Sequence, residues 1–100
     1  MGYSIPDNVL NAITRQLKTL HQVYGGLTIS EPRAKLAQIM SDISPPGITG
    51  FLFPNSGSDA NEVAMRAARR FTNRHKIITR YKSFHGGGTG PLTATGDFRR

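Results

Sequence analysis

The sequence predicts an α/β fold in which helices pack on a small sheet. Residues 48–53 form a short apolar run, and residues 76–81 are β-branched and aromatic. The helix between them, residues 58–72, is expected to bury one apolar stripe at helical spacing: Ala60, Val63, Ala64, Ala67, Ala68 and Phe71. This order is typical of a βαβ unit, whose strands are neighbours or lie further apart in one sheet. A glycine-rich loop at residues 83–91 follows the second strand, at the sheet end where ligands bind in open α/β folds.

Two amphipathic helices are predicted before this unit. The first begins near Pro6 and extends to about His21, and the second begins at Ser30-Glu31-Pro32 and ends before Ser44-Pro45-Pro46-Gly47. Their expected buried stripes recur at three- and four-residue spacing: Val9, Leu10, Ile13, Leu17 and Leu20 in the first helix, and Leu36, Ile39, Met40 and Ile43 in the second. We therefore expect one domain over residues 1–100, with a helical lead-in over 1–47 and the βαβ segment over 48–100.

Composition narrows the class of protein. One hundred residues allow one small domain, and the absence of cysteine excludes a disulfide framework and a thiolate metal site. We predict no metal site. No apolar run approaches membrane-spanning length, and the N-terminus lacks a signal-peptide pattern. We therefore expect a cytoplasmic protein without a membrane partner.

The net charge of +7 is concentrated between Arg66 and Lys82. This basic segment suits the solvated face of a helix, an anionic partner or nucleic acid. The segment lacks interleaved aromatic side chains that would stack on bases, which makes nucleic acid the least favoured of the three.

The turn at residues 55–62 is a candidate anion site. A helix that begins after Ser56-Gly57-Ser58 presents unpaired backbone N–H groups and the positive end of its dipole. Gly57 permits close backbone approach, and the two serines add hydroxyl donors. The alternative is a capped helix without a ligand, in which Ser56 or Ser58 serves as the N-cap.

The loop Phe84-His85-Gly86 carries an aromatic ring. We expect this loop and the turn at residues 55–62 to line one ligand-binding crevice. His85 has two interpretations, a neutral imidazole that satisfies the loop backbone or a proton-transfer group. Because Gly86, Gly87 and Gly88 are consecutive, we expect the loop to be mobile. The open edges of the small sheet favour pairing with another chain, and we expect a homo-oligomer.

These motifs resemble those of class III aminotransferases, which are pyridoxal-phosphate enzymes of fold type I. The resemblance rests on Phe53–Glu62 with the following Ala64–Arg69, on Ser83–Gly86 and on Gly90–Asp97. It implies part of a fold-type-I large domain that binds pyridoxal phosphate. The implied reaction is amino-group transfer to a keto acid or an aldehyde, with amino and keto compounds as substrates.

The resemblance assigns the cofactor-binding residues one by one. Ser56, Gly57 and Ser58 are implied at the cofactor phosphate, with Asp59 and Glu62 in neighbouring polar contacts.

The second motif implies the ring contacts. Phe84 is implied to stack on the pyridine ring, and His85 and Gly86 to shape the loop beneath the cofactor.

No catalytic residue is predicted in this chain. Pyridoxal chemistry needs a Schiff-base lysine and a carboxylate at the pyridine nitrogen. None of Lys18, Lys35, Lys76 and Lys82 matches the family's lysine motif. We therefore expect a truncated domain that is inactive alone. The alternatives are a non-catalytic self-associating module and, less favoured, a basic nucleic-acid-binding protein.

Overall fold

The computed structural model describes residues 2–99 and contains four helices in that range. They are α1 (Asp7–Thr19), α2 (Glu31–Ile43), α3 (Gly57–Thr72) and α4 (Thr89–Ala94). The chain divides into two compact units, Met1–Gly50 and Phe51–Arg100. This division lies close to the boundary expected between residues 47 and 48, and the single-domain organisation stays a prediction.

The first unit contains α1 and α2 near their predicted positions. Pro6 precedes α1, and its carbonyl accepts from the N–H groups of Val9 and Leu10 at 3.0 Å. Ser30 precedes α2, whose first turn contains Pro32, and Ser44 follows its last residue. These ends follow local rules, because proline supplies a helical φ but no N–H group.

The apolar stripes of α1 and α2 are exposed in the first unit, contrary to the sequence prediction. Leu17 of α1 is 59% exposed, and most other members of both stripes are also exposed to solvent. Only Met40 of the predicted residues is partly covered. The periodicity therefore predicts the two helices correctly. The apolar faces that it predicts to be buried are exposed among the described residues.

The two predicted strands are not formed, and the expectation of a sheet is wrong for residues 2–99. A strand requires a second backbone to pair with its N–H and C=O groups. Within the described residues no such backbone lies along 48–53 or 76–81, and the Ile78 side chain is 99% exposed. The nearest pairing follows the second segment, where Lys82 N–H donates to Gly96 O at 3.0 Å and Gly96 N–H to Ser83 O at 2.8 Å.

The second unit is built on α3, which buries a different face from the predicted one. Met65 is 8% exposed, whereas Ala60, Ala64 and Phe71 of the predicted stripe are exposed, Phe71 at 92%. At about 3.6 residues per turn, Met65 shares a face with Ser58, Asn61 and Glu62 rather than with those residues. This polar face contacts the segment around α4, and residues 2–99 contain no sheet that would cover the alanines.

The small core of the second unit lies between α3 and α4. It consists of Met65, Pro91, Ala94 and Thr95, and Thr95 is fully buried. The Thr95 hydroxyl donates to Pro91 O at 2.9 Å and accepts from His85 N–H at 3.2 Å, so its burial leaves no unpaired oxygen. None of the helices in the described range is both long and apolar enough to span a membrane.

One arginine of the basic segment forms a hydrogen bond within the chain, and two others are exposed. Arg69 Nε donates to His75 O at 2.9 Å, just beyond the left-handed C-cap Asn73. Arg66 and Arg70 are exposed and form no ion pair with any described residue. The solvated-face interpretation therefore fits Arg66 and Arg70, and Arg69 closes the end of α3.

Candidate functional site

The N-terminus of α3 is capped by Ser56. Its hydroxyl oxygen accepts from Asp59 N–H at 3.1 Å, and its carbonyl accepts from Ala60 N–H at 3.0 Å. The N–H groups of Gly57 and Ser58 have no acceptor among the described residues. Capping therefore coexists with two unpaired donors at the positive end of the helix dipole, an arrangement that suits an anion.

Ser58 joins this turn to the glycine-rich loop. Its hydroxyl oxygen accepts from Gly88 N–H at 2.9 Å. The hydroxyl hydrogen has no acceptor among the described residues, so it is available to a ligand. The two sequence motifs expected to line one crevice thus meet at this side chain.

Two further side chains of α3 bind the same loop. Asn61 Nδ2 donates to His85 O at 2.7 Å, and Glu62 Oε2 accepts from Gly90 N–H at 2.9 Å. With Ser58 they occupy positions i, i+3 and i+4 on one helix face, and we call these three residues the polar clamp. Sequence reasoning missed the clamp, since polar residues on a helix are usually assigned to solvent.

The loop glycines alternate in their contacts with the clamp. A Cβ on Gly86, whose φ is +128°, would lie 2.5 Å from Ser58 Oγ, and one on Gly90 would lie 2.7 Å from Glu62 Oε2. A Cβ on Gly87 would meet nothing within 4 Å. The absence of side chains at Gly86 and Gly90 therefore permits close contact of the loop with α3, and the mobility expected of the loop stays a prediction.

Phe84 carries a bound cation on its ring. The Arg99 guanidinium carbon lies 4.1 Å from the ring centroid, and Phe84 as a whole residue is 50% exposed. Asp97 Oδ2 holds the guanidinium by accepting from Nε at 2.8 Å. This hydrogen bond lowers the pKa of Asp97 and raises that of Arg99.

His85 is held at its backbone and at its ring. Its ring Nε2 lies 3.2 Å from Thr79 Oγ1, and that hydroxyl donates to Ala94 O at 2.7 Å. Because a hydroxyl has one hydrogen, Thr79 accepts from the ring, and Nε2 therefore carries the hydrogen in this network. The ring thus contacts a side chain outside the loop, and both interpretations of His85 stay predictions.

A cavity of about 300 Å³ lies between α3 and residues 77–80, and His85 is part of its lining. Its lining is mainly apolar and includes Met65, Ile77 and Ala94. None of Ser56, Gly57, Ser58 and Phe84 lines it. The candidate phosphate turn is therefore a surface feature separate from this cavity. Residues 2–99 contain no group of three metal-ligating side chains.

The structure brings together some of the residues implied by the resemblance, and the recorded contact of the Phe84 ring is with Arg99. Gly86 contacts Ser58 directly, and His85 is bound by Asn61. Asp59 departs from the expected polar contacts, because its carboxylate is exposed and accepts no hydrogen bond within the described range. Glu62 has such a contact, to Gly90.

Comparisons with known proteins identify the family. The aminotransferase class-III family profile matches residues 1–99. An uncharacterized aminotransferase of Schizosaccharomyces pombe is 36% identical over 95 residues, which are 93% of this chain and 21% of that protein. An acetylornithine aminotransferase of Listeria innocua is 37% identical over 91 residues, 91% of this chain and 23% of that protein.

A third relative is an acetylornithine aminotransferase of Caldanaerobacter subterraneus, 39% identical over 102 aligned residues that cover 96% of this chain and 25% of that protein. No solved structure matches the chain. The chain spans 21% to 25% of the length of these three relatives. The resemblance carried by the two sequence motifs is confirmed, and membership implies fold type I and dependence of the family on pyridoxal phosphate. The chain belongs to the class III aminotransferases.

Proposed function

We propose that residues 55–90 form the part of a pyridoxal-phosphate aminotransferase that binds the cofactor phosphate and ring. The observation that carries this proposal is the contact of Ser58 with Gly86 and Gly88. It joins a helix N-terminus with unpaired donors to the loop that carries an aromatic side chain. A cofactor with an anionic group and a planar ring needs both features close together.

The donor set suits a phosphate. Gly57 and Ser58 offer backbone N–H groups, the Ser58 hydroxyl offers a hydrogen, and the helix dipole adds partial positive charge. Gly57 has open space at its Cβ position, so a ligand can approach the backbone there. We assign the phosphate to Gly57 and Ser58, with Ser56 shaping the turn as the cap.

The ring contact is assigned to Phe84. Its side chain remains half exposed with Arg99 in place, so a planar ligand has aromatic surface to contact. His85 and Gly86 hold the loop through their contacts with Asn61 and Ser58.

When bound, pyridoxal phosphate supplies an electron sink for amino-group transfer, and these residues bind and orient it. We assign the Schiff-base role to none of Lys18, Lys35, Lys76 and Lys82. The proposed activity of this 100-residue chain by itself is therefore cofactor binding without amino transfer. For the aminotransferase activity that this site would serve, the proposed substrates are amino donors and keto or aldehyde acceptors.

Ligand titration followed by amide NMR tests the proposal. Pyridoxine 5′-phosphate is the probe, because it has no aldehyde to react with surface lysines. Unphosphorylated pyridoxine is the matched control. We expect saturable shifts of the Gly57 and Ser58 amides with the phosphate ester, and shifts that need a higher concentration with pyridoxine. Absence of saturation at millimolar ester would refute the proposed function.

A second candidate function is a self-associating module, which the exposed apolar stripe of α1 favours. Val9, Leu10, Ile13 and Leu17 all lie on that stripe and are between 43% and 59% exposed. Exposed apolar side chains that share one helix face are typical of interaction sites, so we propose a homo-oligomer. Light scattering over a range of concentrations tests this candidate, and a monomer at every concentration contradicts it.

A further inference from the structure

The polar clamp connects the N-terminal turn of α3 to the loop by three hydrogen bonds from one helix face. Their donor–acceptor distances are 2.9 Å at Ser58, 2.7 Å at Asn61 and 2.9 Å at Glu62. All three join residues at least 24 positions apart in sequence, so they are tertiary contacts. The loop therefore has its position set by side chains of α3 rather than by its own backbone alone.

Asn61 acts at the residue next to the aromatic ring. Its amide binds the His85 carbonyl, and His85 directly follows Phe84. The contact is partly buried, where an unpaired carbonyl is costly. Loss of the Asn61 amide therefore frees the His85–Gly86 peptide, which lies one peptide beyond Phe84, while His85 N–H keeps its hydrogen bond to Thr95 Oγ1.

Glu62 acts at the other end of the loop. Gly90 lies in the first turn of α4, where backbone N–H groups have no partner within the helix. The carboxylate supplies that partner by a charge-assisted hydrogen bond. The glutamate thereby fixes the start of α4, which closes the glycine-rich loop.

We propose that Asn61 and Glu62 are positioning residues, which hold the Phe84-bearing loop at a fixed place relative to the phosphate donors of α3. Neither residue is assigned a contact with the cofactor. Their effect on binding rests on the proposed function, but the clamp itself has an independent measure in the amide exchange of Gly88 and Gly90. Asn61 and Glu62 therefore act through the loop, whereas Gly57 and Ser58 offer hydrogen-bond donors directly to the ligand.

The experiment compares Asn61→Ala, Glu62→Ala and Glu62→Gln with the parent chain. Glu62→Gln removes the charge but keeps an acceptor for Gly90 N–H. Arg66→Ala is the matched control, because it truncates an exposed side chain of α3 that binds no described residue. Hydrogen exchange at Gly88 and Gly90 reports the clamp. An NMR titration with inorganic phosphate measures the affinity of the phosphate donors alone. A titration with pyridoxine 5′-phosphate measures the affinity of the donors together with Phe84.

The two alanine variants should keep phosphate affinity within about twofold and lose about tenfold in affinity for pyridoxine 5′-phosphate. Glu62→Gln should recover most of that loss, and Arg66→Ala should match the parent chain. Exchange at Gly90 should become faster in Glu62→Ala.

Three results separate the possible failures. If the alanine variants lose affinity for both ligands by the same factor, the positioning role is overturned, because such a loss indicates general loss of structure. Unchanged exchange at Gly90 in Glu62→Ala overturns the clamp. If the parent chain binds neither ligand, the proposed function fails, and the exchange rates alone then support or overturn the clamp.

Discussion

Replacement of Gly86 by alanine tests the close contact between the loop and α3. Gly86 has a φ of +128°, which side chains of L-residues rarely adopt. Its added Cβ would lie 2.7 Å from Ser58 Cβ and 2.9 Å from Ser58 Cα. A flexible side chain cannot relieve this clash, because the nearest atoms include backbone. The loop must move away from the helix in this variant.

The expected cost has two parts. Backbone strain at such a φ is of the order of 1–3 kcal/mol. Displacement of the loop also weakens the Gly88–Ser58 hydrogen bond, and a hydrogen bond of this kind contributes about 1 kcal/mol. We therefore expect Gly86→Ala to lower the free energy of unfolding of the second unit by about 2–4 kcal/mol.

Gly87→Ala is the matched control, one residue away and without a contact for the new Cβ. It should leave the free energy of unfolding unchanged or raise it by about 0.4–1 kcal/mol, since alanine reduces the freedom of the unfolded chain. Urea denaturation, followed by the NMR signals of residues in the second unit, measures both variants. Equal free energies of unfolding for Gly86→Ala and Gly87→Ala would refute the described contact.

Three further predictions concern the cap, the core and the Phe84 environment. Ser56→Ala should destabilise α3 by about 1 kcal/mol through loss of its cap, seen as reduced helicity by circular dichroism. Met65→Ala should cost about 2 kcal/mol in urea denaturation, a low value because Met65 already borders a cavity. The Asp97–Arg99 pair should hold above the normal aspartate pKa and be lost as the pH falls through the lowered Asp97 pKa. NMR shifts of the Phe84 ring report that loss, and their constancy in acid would contradict the pairing.

Local signals in the sequence determine most helix ends correctly. Pro6, Ser30 and Pro32 act within their own turns, and Ser44 with two prolines ends α2 as expected. Strands depend on a partner backbone that the local sequence does not specify, so the predictions at 48–53 and 76–81 are wrong for this structure. The periodicity of α3 shows the apolar face correctly, but it does not show which face is buried within the second unit.

The candidate site was predictable in its parts and less so in its connections. The sequence identifies Ser56–Ser58 and Phe84–Gly86 as candidate site residues, and Ser58 contacts Gly86 in the structure, while a crevice shared by the two motifs stays a prediction. The polar clamp was missed, because helical polar residues usually face solvent. The sequence signal for the clamp is the spacing of Ser58, Asn61 and Glu62 on one helix face, followed by a glycine-rich loop at residues 86–90.

The most direct test of the proposed site is the ratio of two dissociation constants measured on the same amides. Pyridoxine 5′-phosphate and pyridoxine differ only in the phosphate, and Gly57 and Ser58 offer the donors that would bind it. Charge-assisted hydrogen bonds contribute about 1.5–3 kcal/mol each, so the ester should bind at least about tenfold more tightly. Equal dissociation constants, or shifts that avoid Gly57 and Ser58, would contradict a phosphate site at the N-terminus of α3.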